Sequence, residues 1–246
     1  DEFTDLNDAE IGIKFVLLMH SIGYKVLVPR SCESGRTALS KGFLKKAAAK
    51  ANYNVVSLAE IVTDSTPLVG LEPSCILSFR DEYPALVSDE LVSKAKLLAS
   101  RSLLFDEFIM REFRGGKIDR ELFTDNHAYI KLHGHCHQKA LASVAESASM
   151  LQIPKNYVVE TLPTGCCGMA GAFGYERDHY EISMKIGEEV LFPSIRDDVK
   201  VEERAKLESK VLKLVAAPGT SCRQQILDGT GIKAMHPVEI LFDALK

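Results

Sequence analysis

With 246 residues, 46% of them hydrophobic and 26% charged, the chain has the balance of an ordinary globular protein, long enough for one large domain or two modest ones. A formal net charge of −4 excludes the basic face that nucleic acid or an acidic membrane surface would select. No apolar run approaches the roughly 20 residues of a spanning helix, and no signal-peptide pattern is present.

In chain order, residues 8–23 carry helical periodicity, with Asn7 or Asp8 as N-cap and Gly23 at the C-terminal end. Residues 25–29 read as a buried strand, 40–52 as a helix and 67–71 as a second strand. Residues 89–113 have helical periodicity and no strand, and serve as a link. Strands are predicted at 128–133, 157–161, 214–218 and 232–235, and helices at 138–151 and 180–192. Alternation of this kind predicts an α/β fold with mainly parallel sheets flanked by helices.

The pattern echoes itself. Helix, strand 25–29, the turn SCESGR (31–36), helix, strand and EPSC (72–75) are followed by helix, strand 157–161, the turn GCCGMA (165–170), helix, strand and PGTSC (218–222). We therefore expect two pseudo-repeated lobes, residues 1–120 and 121–246. The two turns and the two Ser-Cys ends superpose with different offsets, which puts an insertion within 193–213. The chain starts at Asp1, already in structured-looking sequence, so we also expect a piece of a longer chain with domains upstream.

Six cysteines, Cys32, Cys75, Cys136, Cys166, Cys167 and Cys222, are too few for a secreted disulfide scaffold and suit metal or redox chemistry in a reducing compartment. Neighbours in sequence, Cys166 and Cys167 have Cα atoms too close for a relaxed disulfide. Cys136, the adjacent pair and Cys222 each follow a predicted strand, and in open α/β sheets such ends share one crevice. Each also lies near a helix N-terminus, which favours thiolate. Four thiols from three strand ends suit iron–sulfur ligation. Zinc held by cysteines with His133, His135 or His137 is the alternative, though no C-x₂₋₄-C pair is present. Gly165, Gly168, Gly171 and Gly174 do not fit a dinucleotide fingerprint; their expected role is to let backbone N–H groups close around sulfur.

The segments HCHQKAL (135–141), CCGMAGAFGYE (166–176), GTSCRQQI (219–226) and HPVEIL (236–241) resemble the cysteine-rich CCG domain. That domain occurs in the B subunit of heterodisulfide reductase, in glycolate oxidase iron–sulfur subunits and in anaerobic glycerol-3-phosphate dehydrogenase. The first half resembles a preceding copy of the same domain, and the nearest likeness is to the C-terminal region of fused FAD-linked oxidases. The resemblance implies Cys136, Cys166, Cys167 and Cys222 as ligands of an iron–sulfur cluster, with a [4Fe-4S] type expected from four thiols. It implies His135, His137, Gly168 and Arg223 as neighbours that tune it. Spacings depart from the family: 29 residues separate Cys136 from Cys166, slightly few, and 54 separate Cys167 from Cys222, clearly many. Gly219 stands where a further cysteine would be. In the first lobe Glu33-Ser34-Gly35 replaces C-C-G, Phe3 falls near the leading cysteine's position and only Cys75 matches a ligand, with Cys32 beside the turn. That lobe is expected to be a degenerate scaffold.

The implied function is electron transfer within a larger lactate- or glycolate-type 2-hydroxy-acid dehydrogenase. FAD and ferredoxin-like domains would lie upstream, a quinone would accept the electrons, and the fragment alone would not oxidise the hydroxy acid. The expected location is cytoplasmic or peripheral on the inner face of the membrane. A cluster-based disulfide reductase and a zinc-binding or metal-free docking module are the other classes.

Overall fold

The computed structural model describes residues 1–29, 33–197 and 211–246. Cys32 and the greater part of the expected insertion lie outside the described residues. The architecture is α/β, with two parallel sheets flanked by helices. In the first half, β1 (Leu68–Gly70) pairs with β2 (Ser102–Leu104). In the second, β3 (Ala128–Leu132) lies between β4 (Tyr157–Thr161) and β5 (Leu212–Ala216), and Met235 adds a parallel bridge outside Ala216. Every residue of β3 is buried, as a central parallel strand requires.

From the first helix of each half onward, a similar order of elements runs through both, while β3 has no described counterpart in the first half. Helix Glu2–Leu6, capped by the Asp1 side chain, matches helix Cys136–Leu141, capped by His135. Helices Ala9–Ser21 and Val144–Leu151 follow them. Gly35 (φ +84°) and Gly168 (φ +103°) hold the same left-handed turn. Helix Pro73–Arg80 follows β1 as helix Thr220–Thr230 follows β5, and helices Phe105–Arg114 and Pro237–Asp243 close the two halves.

The closing helices cross over. Helix Pro237–Asp243 packs on Ala9–Ser21, and Phe105–Arg114 packs on Val144–Leu151. One apolar cluster accordingly draws Leu18, Met19, Phe108 and Ile109 from the first half and Ile130, Met150, Leu151 and Leu241 from the second. Each helix buries an apolar stripe that its own sheet could not cover.

Several expectations are corrected. Residues 25–29, expected as a buried strand, join no ladder among the described residues, and Leu27 and Val28 are exposed. The predicted link 89–113 contains β2, because the run Ser102-Leu103-Leu104 can pair with β1 between helices Val92–Ser100 and Phe105–Arg114. The strand at 214–218 is shifted to Leu212–Ala216, and 232–235 contributes only the Met235 bridge. Helix 138–151 is broken at Ala142, where Ser143 recaps the chain through its side chain to the Ala145 N–H. No helix among the described residues is long and apolar enough to cross a membrane.

Candidate metal centre

Cys136 is the first residue of helix Cys136–Leu141, four residues beyond the end of β3. Cys166 and Cys167 lie in the loop after β4, and Cys222 in the first turn of helix Thr220–Thr230 after β5. The three neighbouring strand ends thus deliver four thiols to one place. Cys136 lies within hydrogen-bonding reach of Cys166, Cys166 of Cys167, and Cys167 of Cys222. Cys136 and Cys166 are exposed, while Cys167 and Cys222 are buried.

Protons are shared unequally along this row. Cys166 is pushed far below the usual thiol range by donation from Cys136 and Cys167, then by the backbone N–H groups of Gly168 and Ala170. Cys222 is lowered by donation from Cys167 and by His133. Cys136 and Cys167 are pushed up, each chiefly by the thiolate it donates to, with burial adding to the effect. Donation along the free row thus favours thiolate at Cys166 and Cys222 and thiol at Cys136 and Cys167. Backbone donors reach three of the sulfurs: His137 for Cys136, Gly168 and Ala170 for Cys166, and Met169 for Cys167.

Gly168 is held to glycine by its surroundings. A Cβ there would lie 2.3 Å from the Ser183 carbonyl and 3.0 Å from Gln225 Nε2, so the turn needs glycine for contact as well as for conformation. Ser183 Oγ donates to the Gly168 carbonyl at 2.9 Å, and Gln225 Nε2 donates to the Ser183 carbonyl at 3.0 Å. Gly219 has its own reason: a Cβ would lie 2.4 Å from the His135 ring. The glycine that replaces a further cysteine is the space that His135 occupies.

The histidines divide three ways. His133 is buried against Thr164 Oγ1 at 2.7 Å and sits with Cys167 and Cys222, their ligand atoms within 4.8 Å of one another. His135 caps its helix and faces Glu72 Oε1 at 3.7 Å. His137 stacks on His135 with ring centroids 5.4 Å apart, and its Nδ1 lies 3.8 Å from Cys136 Sγ. Arg223 does not touch the sulfurs; it donates to the Ala217 and Pro218 carbonyls and pairs with Asp8 at 2.6 Å, pinning the turn that leads to Cys222.

Some contributors carry no signal in the sequence pattern. Lys139 donates to the Thr164 and Gly165 carbonyls, and its ammonium is close enough to feel all four thiols. Glu72 and Asp8 come from the other half. Thr220 donates its N–H to Glu72 Oε2 at 2.9 Å and its hydroxyl to Asp8.

In the first half the equivalent place holds Glu2, Ser34 and Cys75. Glu2 accepts from the Ser34 N–H and Oγ, both at 2.8 Å, and Ser34 Oγ lies 3.2 Å from Cys75 Sγ. Glu2, not Phe3, stands at the leading position, because it is the first residue of its helix as Cys136 is of its own. Burial and the nearby Glu2 and Glu72 carboxylates keep Cys75 a thiol. Glu33 turns outward to Lys50 at 2.9 Å.

No family model matches the chain. D-2-hydroxyglutarate dehydrogenase of Haemophilus influenzae is 27% identical over 259 residues, an alignment covering the whole chain and 23% of that protein. The Escherichia coli enzyme of the same name is 28% identical over 251 residues, again over the whole chain and 22% of the enzyme. The C subunit of anaerobic glycerol-3-phosphate dehydrogenase of E. coli is 24% identical over 245 residues, 99% of the chain and 57% of that protein. The chain thus spans less than a quarter of the two hydroxyglutarate enzymes, and is similar, along essentially its whole length, to part of each of these dehydrogenase proteins.

Proposed function

We propose that these residues form an iron–sulfur electron-transfer module of a larger 2-hydroxy-acid dehydrogenase, with Cys136, Cys166, Cys167 and Cys222 as ligands. The observation that carries this reading is the continuous row of four thiols drawn from three strand ends. The donor set fits the group: four sulfurs, two of them favoured as thiolates by donated hydrogen bonds, with backbone N–H groups aimed at three. A bound cluster, of [4Fe-4S] type by ligand count, would supply one-electron redox chemistry. The chain's own residues hold it: Gly168 lets the thiol loop close, Arg223 and Glu72 fix the approach to Cys222, and Lys139 balances thiolate charge. Exposure of Cys136 and Cys166 gives electrons a short way in and out.

Upstream flavin and ferredoxin-like domains would deliver the electrons, and a quinone at the inner face of the membrane would receive them. Similarity to the D-2-hydroxyglutarate dehydrogenases favours a dicarboxylic 2-hydroxy acid as the substrate of the whole protein. The first lobe, residues 1–120, serves as scaffold for the second, 121–246. Zinc is the second reading, favoured by the His133, Cys167 and Cys222 group.

The test is anaerobic reconstitution followed by iron, sulfide and zinc analysis and electron paramagnetic resonance. Stoichiometric iron and sulfide with a reducible signal, lost in Cys166→Ala and Cys222→Ala, supports the cluster. Zinc retained in Cys136→Ala, with no iron taken up by the wild type, overturns it.

A further inference from the structure

A groove of about 1350 Å³ lies between residues 24–29 and β1. Two of its walls are residues 24–29 and β1. On one side run Tyr24, Val26 and Leu27; on the other, Leu68, Val69 and Gly70. Leu27 and Val28 are 55% and 83% exposed, unusual for an apolar stretch flanking a core. Among the described residues β1 pairs on one side only: Leu68 donates to the Arg101 carbonyl toward β2, so strand alternation turns the Val69 N–H to the groove.

The second half shows what belongs there. Its sheet runs β4–β3–β5 with Met235 outside β5. Matched element by element, 24–29 takes the place of β4, β1 that of β5, and β2 that of Met235. The place of β3 is empty of described chain, and it is the groove. Three residues separate the end of β3 from helix Cys136–Leu141, whose counterpart is Glu2–Leu6, and Asp1 and Thr4 line the groove.

We propose that the groove receives a third, central parallel strand, supplied by the polypeptide immediately N-terminal to Asp1 in the longer chain. The strand is about five residues long and apolar on the face toward the shared cluster, as β3 is at Ala128, Ile130 and Leu132, and hydrogen-bonds to Val69 on one side and to 25–28 on the other. Two further observations favour this source. The hydroxyglutarate enzymes that match the whole chain are more than four times as long as the matched part. Val26 and Val69 already rest on the shared apolar cluster, so the strand would complete an existing layer. The proposal rests on the repeat and is independent of any metal.

The experiment is hydrogen–deuterium exchange at Val69 and at 25–28, comparing the 246-residue chain with the full-length chain that contains it. A second variant fuses residues 127–134, the chain's own β3 and its exit, directly ahead of Asp1, beside a control fusion with Ile130→Asp and Leu132→Asp in that copy. We expect protection at these amides to rise on the order of a hundredfold in the full-length chain and the intact fusion, and not in the control. Equal exchange in the short and full-length chains overturns the proposal. Protection that grows with concentration in the short chain also overturns it, because the occupant is then a second copy.

Discussion

The Glu72 carboxylate caps two helices at once: Oε1 accepts from the Ser74 N–H at 3.3 Å, and Oε2 accepts from the Thr220 N–H at 2.9 Å. One buried side chain of the first half therefore fixes the helix start that carries Cys222. Loss of a helix cap costs about 1–2 kcal/mol. We expect Glu72→Ala to lose that much in urea denaturation and to expose Cys222, read as faster labelling by a thiol reagent. Unchanged labelling with lowered stability would confine Glu72 to its own helix.

The turn at Gly168 makes a sharper case. Alanine there meets the Ser183 carbonyl and a left-handed backbone together. We expect Gly168→Ala to displace the thiol loop, costing roughly 2–4 kcal/mol from clash and strain combined. Iron retention should fall more steeply than stability. The comparison is Gly165→Ala, where a Cβ would meet nothing within 4 Å and little change is expected.

Metal-free protein should show its unequal thiols directly. Cys166 is exposed and held far below the ordinary thiol range, so it remains thiolate as pH falls. Iodoacetamide at about pH 6, well under the ordinary thiol pKa, should modify Cys166 first, with Cys136 and Cys167 reacting only after pH rises. Mass spectrometry of the labelled peptides reads the order, and first labelling at Cys136 would contradict the proton sharing described.

Asp106 links the halves from the other side. It accepts from Gln138 Nε2 at 2.7 Å and from Ser147, and burial raises its pKa from 3.8 to about 6. A raised carboxyl stabilises the fold fully below pH 3.8, and the contribution is lost as pH climbs through about 6. The shift corresponds to about 3 kcal/mol. Denaturation midpoints of Asp106→Asn should lack the decline that the parent shows across that window.

Much of this was legible locally. β3 and β4 announced themselves as apolar runs, and the four thiols could be matched because each follows a strand. Residues 25–29 look like a strand for the same reason, but pairing depends on a neighbour that local pattern does not contain. β2 was hidden because three residues between two helices leave no periodicity to read. Glu72, Asp8 and Lys139 were invisible because their partners lie on other segments of the chain, where charge pattern along a single helix says nothing. The histidines of HGHCH shared a pattern but not a role, since His135 is fixed by the space Gly219 leaves and His133 by Thr164.

The crossed closing helices bind the two halves into one unit. Helix Pro237–Asp243 packs on Ala9–Ser21 and Phe105–Arg114 packs on Val144–Leu151, so cutting away either half would uncover an apolar face of the other. With Glu2 and Ser34 standing where the second half has Cys136 and Cys167, the first half has no row of thiols, yet the second still needs it as a wall.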